Sequence, residues 1–285
     1  MSDKPQSGSD AMCVLPDITV LTLSGRDCIA FAQAQFMSDV AALVDGQWQW
    51  SGWLTPKGRV IALFAVIRRG PERLDLLVLD ADTAAVAASL QRYVFRSKVS
   101  MEVRSDLQVA GRFAPPSSAQ GALSAQSGDI LELDMGTATH PRTLALQPHA
   151  ARATLQREIH ESWRAYDIRH GLPRLDESQR EQWTPQQLSL ERLHAFSVAK
   201  GCYPGQEIVA RTHFLGQVKR GLVALRGTGG SPGDEVTSAG QGLGRVVSTA
   251  ADTLLAVLPL ERADAPLAIG EVEVHVVPLL DGLGR

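Results

Sequence analysis

The stretch Lys200-Gly201-Cys202-Tyr203-Pro204-Gly205-Gln206-Glu207-Ile208-Val209-Ala210-Arg211 places a thiol, two glycines and three charged groups in one dozen residues. It is too irregular and too polar to be core. Gly201 and Gly205 allow backbone angles closed to other residues, so the chain can turn sharply and bring its amides close to a ligand or a neighbouring segment. Pro204 suits a first helical position, and Glu207 would then sit in the positively polarised first turn. Cys202 would stand just before a helix N-terminus with the Lys200 cation two residues away, and both effects favour thiolate over thiol. The plain alternative is that Cys202 is a small apolar filler and the glycines serve a tight turn.

The dozen residues resemble the signature of the YgfZ family of folate-binding proteins, Lys-Gly-Cys-Tyr, any residue, Gly-Gln-Glu, then an arginine, and they match it through Arg211. Outward from it, Ile168, Gly171-Leu172-Pro173, Trp183, Pro185-Gln186 and Phe196-Ser197 are similar to its approach. Phe214-Leu215-Gly216 and Lys219-Arg220 are similar to its exit. Near the start, Leu23-Ser24-Gly25-Arg26-Asp27 with Phe31, Gln33, Gln35 and Asp39 resembles the family's opening strand and helix, and Lys57-Gly58-Arg59 its following hairpin. The resemblance implies an α+β fold, a folate-binding body like that of the glycine-cleavage aminomethyltransferase with a small C-terminal β-barrel. The corresponding layout is a tail over 1–14, a folate-binding domain over 15–215 with a subdomain junction near 114–128, and a barrel domain over 216–285.

Composition permits this and excludes other classes. The 285 residues are enough for two domains, each with its own core. With 28 basic against 31 acidic residues there is no excess of positive charge to hold a polyanion, so direct tight binding of nucleic acid is not expected. No apolar run approaches the roughly 20 residues of a membrane span, and the polar start is not a secretory signal, so a cytoplasmic protein is expected. Cys13, Cys28 and Cys202 are odd in number and far apart, which fits neither a disulfide framework nor an intrachain zinc site.

Periodicity supplies the coarse elements. Ile18 to Leu23 reads as a strand. A helix follows, capped near Ser24 and Asp27, with Cys28, Ala32 and Phe36 on one face, which makes Cys28 core. Trp48 to Trp53, Val60 to Ile67 and Leu74 to Leu79 read as strands, and Asp82 opens a helix with the stripe Val86, Leu90, Tyr93. Ile130 to Leu133 reads as a strand, and Leu155, Ile159 and Trp163 share a helical face that Gly171 stops. Thr184-Pro185-Gln186-Gln187 is a capping box in which Gln187 is structural. Beyond Gly216, short segments at Val218 to Leu225, Val236 to Ser238, Gly244 to Ser248, Leu254 to Leu258 and Val272 to Val277 suggest a small barrel or sandwich.

The resemblance further implies tetrahydrofolate or another folate as cofactor, with Trp163 in its site and Arg169, Tyr203, Gln206 and Arg211 as further binding residues. Trp163 could stack on a pterin, or it could simply pack in the core beside Ile159. Arg169 stands where the transferase has a folate-contacting glutamate, and its guanidinium suits folate's own carboxylates instead. Cys202, assisted by Lys200, would be the reactive pair. The implied role is that of an accessory protein for iron–sulfur enzymes, meeting client or assembly proteins, handling a cluster in passing and affecting tRNA modification indirectly. A folate-dependent one-carbon transferase or demethylase and a non-catalytic scaffold are the alternatives. The transferase's paired aspartates align with Ile61 and Ala62, which carry no proton to exchange.

Overall fold

A computed structural model of the chain describes residues 11–151, 153–216 and 218–285. In chain order the elements are β1 (Cys13–Val14), β2 (Ile18–Ser24), α1 (Cys28–Gln35), β3 (Trp48–Leu54), β4 (Val60–Gly70), β5 (Arg73–Leu79), α2 (Thr83–Gln91) and β6 (Ser100–Val103). They continue through β7 (Leu107–Arg112), β8 (Ala125–Ser127), β9 (Ile130–Asp134), β10 (Thr143–Pro148), α3 (Arg157–Arg169) and α4 (Gln206–Leu215). The last group is β11 (Arg220–Arg226), β12 (Glu235–Ser238), β13 (Gln241–Ala250), β14 (Thr253–Pro259), β15 (Leu267–Ile269) and β16 (Val272–Val277).

Two five-stranded sheets form the body, in the orders β3-β4-β5-β2-β6 and β1-β7-β10-β9-β8. In the first sheet successive residues point to opposite faces, and both faces are apolar. Leu21, Leu23, Phe64, Val66, Leu74, Leu76 and Val78 pack with α1 and α2 through Cys28, Phe31, Ala32, Val86 and Leu90. Their neighbours Val20, Ala65, Ile67, Leu77 and Leu79, with Trp48 and Trp50, face Val109, Leu131, Leu133, Leu144 and Leu146 of the second sheet and Trp163 of α3. Burial on both faces explains why β4 and β5 read as almost unbroken apolar runs rather than as alternation.

The barrel is closed in the order β11-β14-β13-β12-β15-β16, with β16 returning to β11. Its own core is Val223, Leu225, Val236, Val246, Leu254, Ala256, Leu258 and neighbours. It is stitched to the body where Arg174 N donates to Ser248 Oγ at 2.9 Å and Leu222 N donates to Ser189 Oγ at 3.1 Å. No helix is long and apolar enough to cross a membrane among the described residues.

Several local expectations change. Residues 1–10 of the expected tail lie outside the described residues. Cys13 and Val14 are not tail but strand, paired with Gly111 and Ala110, because Cys13 fills a fully buried position. Leu155 precedes α3 and is exposed, so the apolar stripe of that helix starts later than its spacing suggests. Tyr93 lies beyond α2, half exposed, with its ring edge-on to Trp53. The capping box does form. Thr184 N donates to Gln187 Oε1 at 3.0 Å and Gln187 N donates to Thr184 Oγ1 at 3.3 Å. It opens only a turn, because Ser189 at φ +48° leaves the right-handed region before a helix can propagate.

Candidate functional site

The signature loop has no regular structure of its own and is fixed instead by its side chains. Lys200 Nζ reaches into the end of α1 and donates to Gln33 O at 2.5 Å, Phe36 O at 2.6 Å and Ser38 O at 2.8 Å. Carbonyls at a helix C-terminus lack intrahelical donors and carry negative partial charge, so a buried ammonium suits them. Burial pulls this ammonium down to about 8, below its usual 10.5, and at neutral pH it still carries its proton. Tyr203 is buried beneath it, with Nζ 4.9 Å from the ring centroid, and its hydroxyl donates to Ser197 O at 3.0 Å. Gln206 Nε2 donates to Lys200 O at 3.0 Å. Ser197, Lys200, Tyr203 and Gln206 thus close the loop on itself.

Two glycines set it against the β3–β4 hairpin. Gly205 has φ +79°, and a Cβ there would lie 2.7 Å from Gly58 Cα and 2.7 Å from Thr55 O. Gly58 has φ +69°, and a Cβ there would lie 2.9 Å from Ile208 Cβ. Left-handed backbone and this closeness both exclude a side chain. Gly205 is also the N-cap of α4, so Pro204 precedes the cap rather than opening the helix, while Glu207 does occupy the first turn.

Cys202 is the exposed cysteine of the three; Cys13 and Cys28 are buried. A Cβ on the adjacent Gly201 would meet nothing within 4 Å, so the chain beside the sulfur is open to an approaching group. The expected electrostatic help from Lys200 is not what the structure builds. Its ammonium is committed to three carbonyls of the α1 end, and the contribution of Lys200 is to hold the loop that displays Cys202. Arg211 lies exposed on α4, one turn past Glu207.

The folate-site expectations fall elsewhere. Trp163 is 1% exposed, with the Arg142 guanidinium 3.9 Å from its ring centroid and Gly111 so close that a Cβ there would lie 2.5 Å from the ring. Of the two roles read from sequence, the ring has the packing one, and it has no free face for a pterin. Arg169 is exposed at the end of α3, and its carbonyl accepts from Leu280 N at 2.9 Å. Tyr203 and Gln206 are taken up inside the signature loop. The five expected binding residues therefore do not gather around one space.

Sequence reading missed the charge cluster at the body's centre. Asp167 bridges Arg142 (2.7 Å) and Arg174 (2.8 Å), and Arg174 also reaches Asp17 and Asp80, both at 2.6 Å. Arg164 pairs with Asp17 at 2.5 Å and Asp80 at 2.6 Å. Three guanidiniums against three carboxylates balance, as buried charge must. Despite burial, Arg174, His160 and Arg164 hold the Asp17 carboxyl down to about 2. The signal was present as isolated charges in apolar surroundings, but their pairing spans the chain from 17 to 174.

Two spaces are relevant to a ligand. A cavity of about 10 Å³, room for one water, lies among Trp50, Met135, Arg142, Trp163 and Asp167. A cleft of about 340 Å³ lies between body and barrel, lined by Trp183, Gln187, Arg220, Glu235, Leu243 and Arg245. No group of three or more His, Cys, Asp or Glu side chains able to hold a metal ion occurs among the described residues.

Comparison with known proteins bears on this arrangement. Residues 219–279 match the CAF17 C-terminal beta-barrel domain. A tRNA-modifying protein YgfZ from Klebsiella pneumoniae is 30% identical over 240 residues, covering 76% of this chain and 72% of the relative. One from Sodalis glossinidius is 28% identical over 239 residues, with coverage of 76% and 72%. Among solved structures, the glycine cleavage system aminomethyltransferase T from Bartonella henselae superimposes with a TM-score of 0.71 at 14% identity, covering 94% of this chain and 84% of that one. The body and barrel described above are therefore the aminomethyltransferase-like fold.

Proposed function

The chain belongs to the YgfZ family, and from that premise we propose that it is a folate-binding accessory protein that supports the maturation or repair of iron–sulfur enzymes through Cys202. The relatives are named tRNA-modifying proteins; in this reading the chain affects tRNA modification at one remove, through cluster-dependent enzymes. The observation that carries it is the display of Cys202. An exposed thiol sits at the outer edge of a loop that three buried carbonyl contacts from Lys200 hold rigid, beside a glycine with open space around it. A soft sulfur so presented can exchange with a partner thiol or hold one iron of a client's cluster in passing. With no group of companion ligands among the described residues, the cluster in this reading is cargo.

Folate in this reading sits at the body's centre. The groups there suit a flat heteroaromatic ring: the indoles of Trp48 and Trp50, the Trp50 N–H, the carbonyls of Asp134 and Gly136, and the His170 ring, with the exposed Arg169 guanidinium at the edge for carboxylates. Bound folate would supply a reduced ring able to carry one carbon. The positions aligned with the transferase's acids are Ile61 and Ala62, hydrocarbon side chains on β4, so the chain's own residues offer no acid–base partner there.

The test is Cys202→Ser in cells lacking their own copy, reading the activity of a cluster-dependent enzyme. Loss of that activity with unchanged thermal stability is expected. Full support of the client by the serine variant would contradict the role of Cys202.

A further inference from the structure

Beyond β16 the chain turns back into the body. Residues 279–285 contain no helix or strand, yet they are gripped along their length. Arg192 Nη2 donates to Leu280 O at 2.9 Å and pairs with Asp281 Oδ1 at 2.6 Å. His170 Nδ1 lies 2.9 Å from Asp281 O, and Trp50 Nε1 donates to Leu283 O at 2.8 Å. Gly282, at φ +100°, packs against Thr137. Leu283 is 2% exposed and belongs to the main core. The Arg285 guanidinium donates to Asp134 O (2.9 Å) and Gly136 O (2.8 Å) and stands 5.5 Å from the Trp48 ring centroid.

A pocket for a drug-sized ligand needs about 300–1,000 Å³, and the open space of about 10 Å³ beside Trp50 is lined by body residues alone, with none of 279–285 at its wall. What occupies the polar groups of Trp50, His170, Asp134 and Gly136 is the chain's own segment. The filling also has a definite chemistry. A guanidinium is a flat unit of N–H donors around one carbon. The amino-pyrimidinone edge of a pterin contains the same N–C(NH₂)–N unit, able to donate to the same pair of carbonyls and to lie against the same indole. The barrel match ends at Leu279, where this segment starts.

We infer that residues 279–285 are an internal plug that occupies the folate site, with Arg285 standing where the pterin's guanidine-like edge binds, so that segment and ligand exclude one another. This rests on the folate reading above. A ligand that binds only the unplugged form has its apparent affinity reduced by the unplugged fraction, so a plug favoured tenfold weakens binding about tenfold.

The experiment is calorimetric titration with 5-formyltetrahydrofolate of the full chain, of a chain ending at residue 278, and of full-length Arg285→Ala. Amide exchange across 279–285 is followed in the full chain with and without the ligand. Expected are affinities about tenfold or more tighter in the shortened chain, a smaller gain in Arg285→Ala, and faster exchange of 279–285 when ligand is bound. Equal affinities with unchanged exchange would overturn the plug and leave the folate reading standing. Ligand-induced protection of 279–285 would make the segment a lid and overturn the plug as well. Absence of binding by every form would remove the folate reading and the plug with it. Should the shortened chain fail to fold, Arg285→Ala and the exchange measurement decide alone.

Discussion

Two irregular stretches, 197–206 and 279–285, are anchored by different devices. In the first, the loop's own side chains do the holding: Lys200 on the carbonyls of Gln33, Phe36 and Ser38, Tyr203 on Ser197, and Gln206 on Lys200. In the second, side chains of the body hold the main chain of the segment: Trp50, His170 and Arg192 on carbonyls of Leu283, Asp281 and Leu280. A loop held by its own side chains stays put while it exposes Cys202. The segment adds its own Arg285 guanidinium on Asp134 O and Gly136 O, so it is held from both sides.

The largest expected effect breaks the first device. Lys200→Met takes the ammonium from the carbonyls of Gln33, Phe36 and Ser38, of which Ser38 O keeps the Val40 N–H, and should cost about 3 kcal/mol, since unmet buried hydrogen-bonding groups cost about 1–3 kcal/mol each. Denaturant unfolding measures this, and a loss below 0.5 kcal/mol would mean that the loop is held by something else. The second device should yield less. Arg192→Ala removes the hold on Leu280 and Asp281, and should lower stability by about 1–2 kcal/mol while accelerating amide exchange over 279–285 and leaving the signature loop unchanged. Equal acceleration in both stretches would erase the distinction between them.

A smaller effect comes from acid. His170 is stacked on Tyr166 at 4.2 Å and faces Asp281 O from the segment, with Arg142, His140 and Arg169 nearby. Burial first, then the Arg142 and Arg169 charges and the neighbouring His140, outweigh the hydrogen bond to Asp281 O and hold its ring down to about 4, below the ordinary 6.5. The folded protein keeps the ring neutral, so its contribution is fully present above pH 6.5 and is lost as pH falls toward 4. Melting temperature should therefore fall between pH 7 and 5, and less so in His170→Gln. Asp17, held to about 2 when folded against its ordinary 3.8, acts only at lower pH.

The same contrast governs what the sequence discloses. Core strands and the Cys28, Ala32, Phe36 face are legible because burial on a repeating element writes a period. Asp82 is legible as a cap because its carboxylate reaches the amides of Ala84 and Ala85, two and three residues on. The loop is legible because its own residues carry the anchoring chemistry, although only the structure shows that the Lys200 ammonium serves the end of α1 rather than the sulfur. Strands β7 and β10, with residues such as Gly111 and Gln147 among the apolar ones, lack alternation strong enough to be read, and their pairing brings together residues from 107 to 148. Residues 279–285 carry almost no signal, because they follow no period and the partners of Leu283 and Arg285 lie far back in the chain at Trp50, Asp134 and Gly136. The central ion cluster is silent for another reason: no local pattern links Asp17, Asp80, Asp167 and Arg174.

The most direct test of the account is a count of reactive thiols with a small aromatic disulfide reagent on the folded chain. One thiol should react promptly and be lost in Cys202→Ser, with Cys13 and Cys28 reached only in denaturant. A folded chain in which no thiol reacts, or in which the serine variant still shows one prompt thiol, would contradict it.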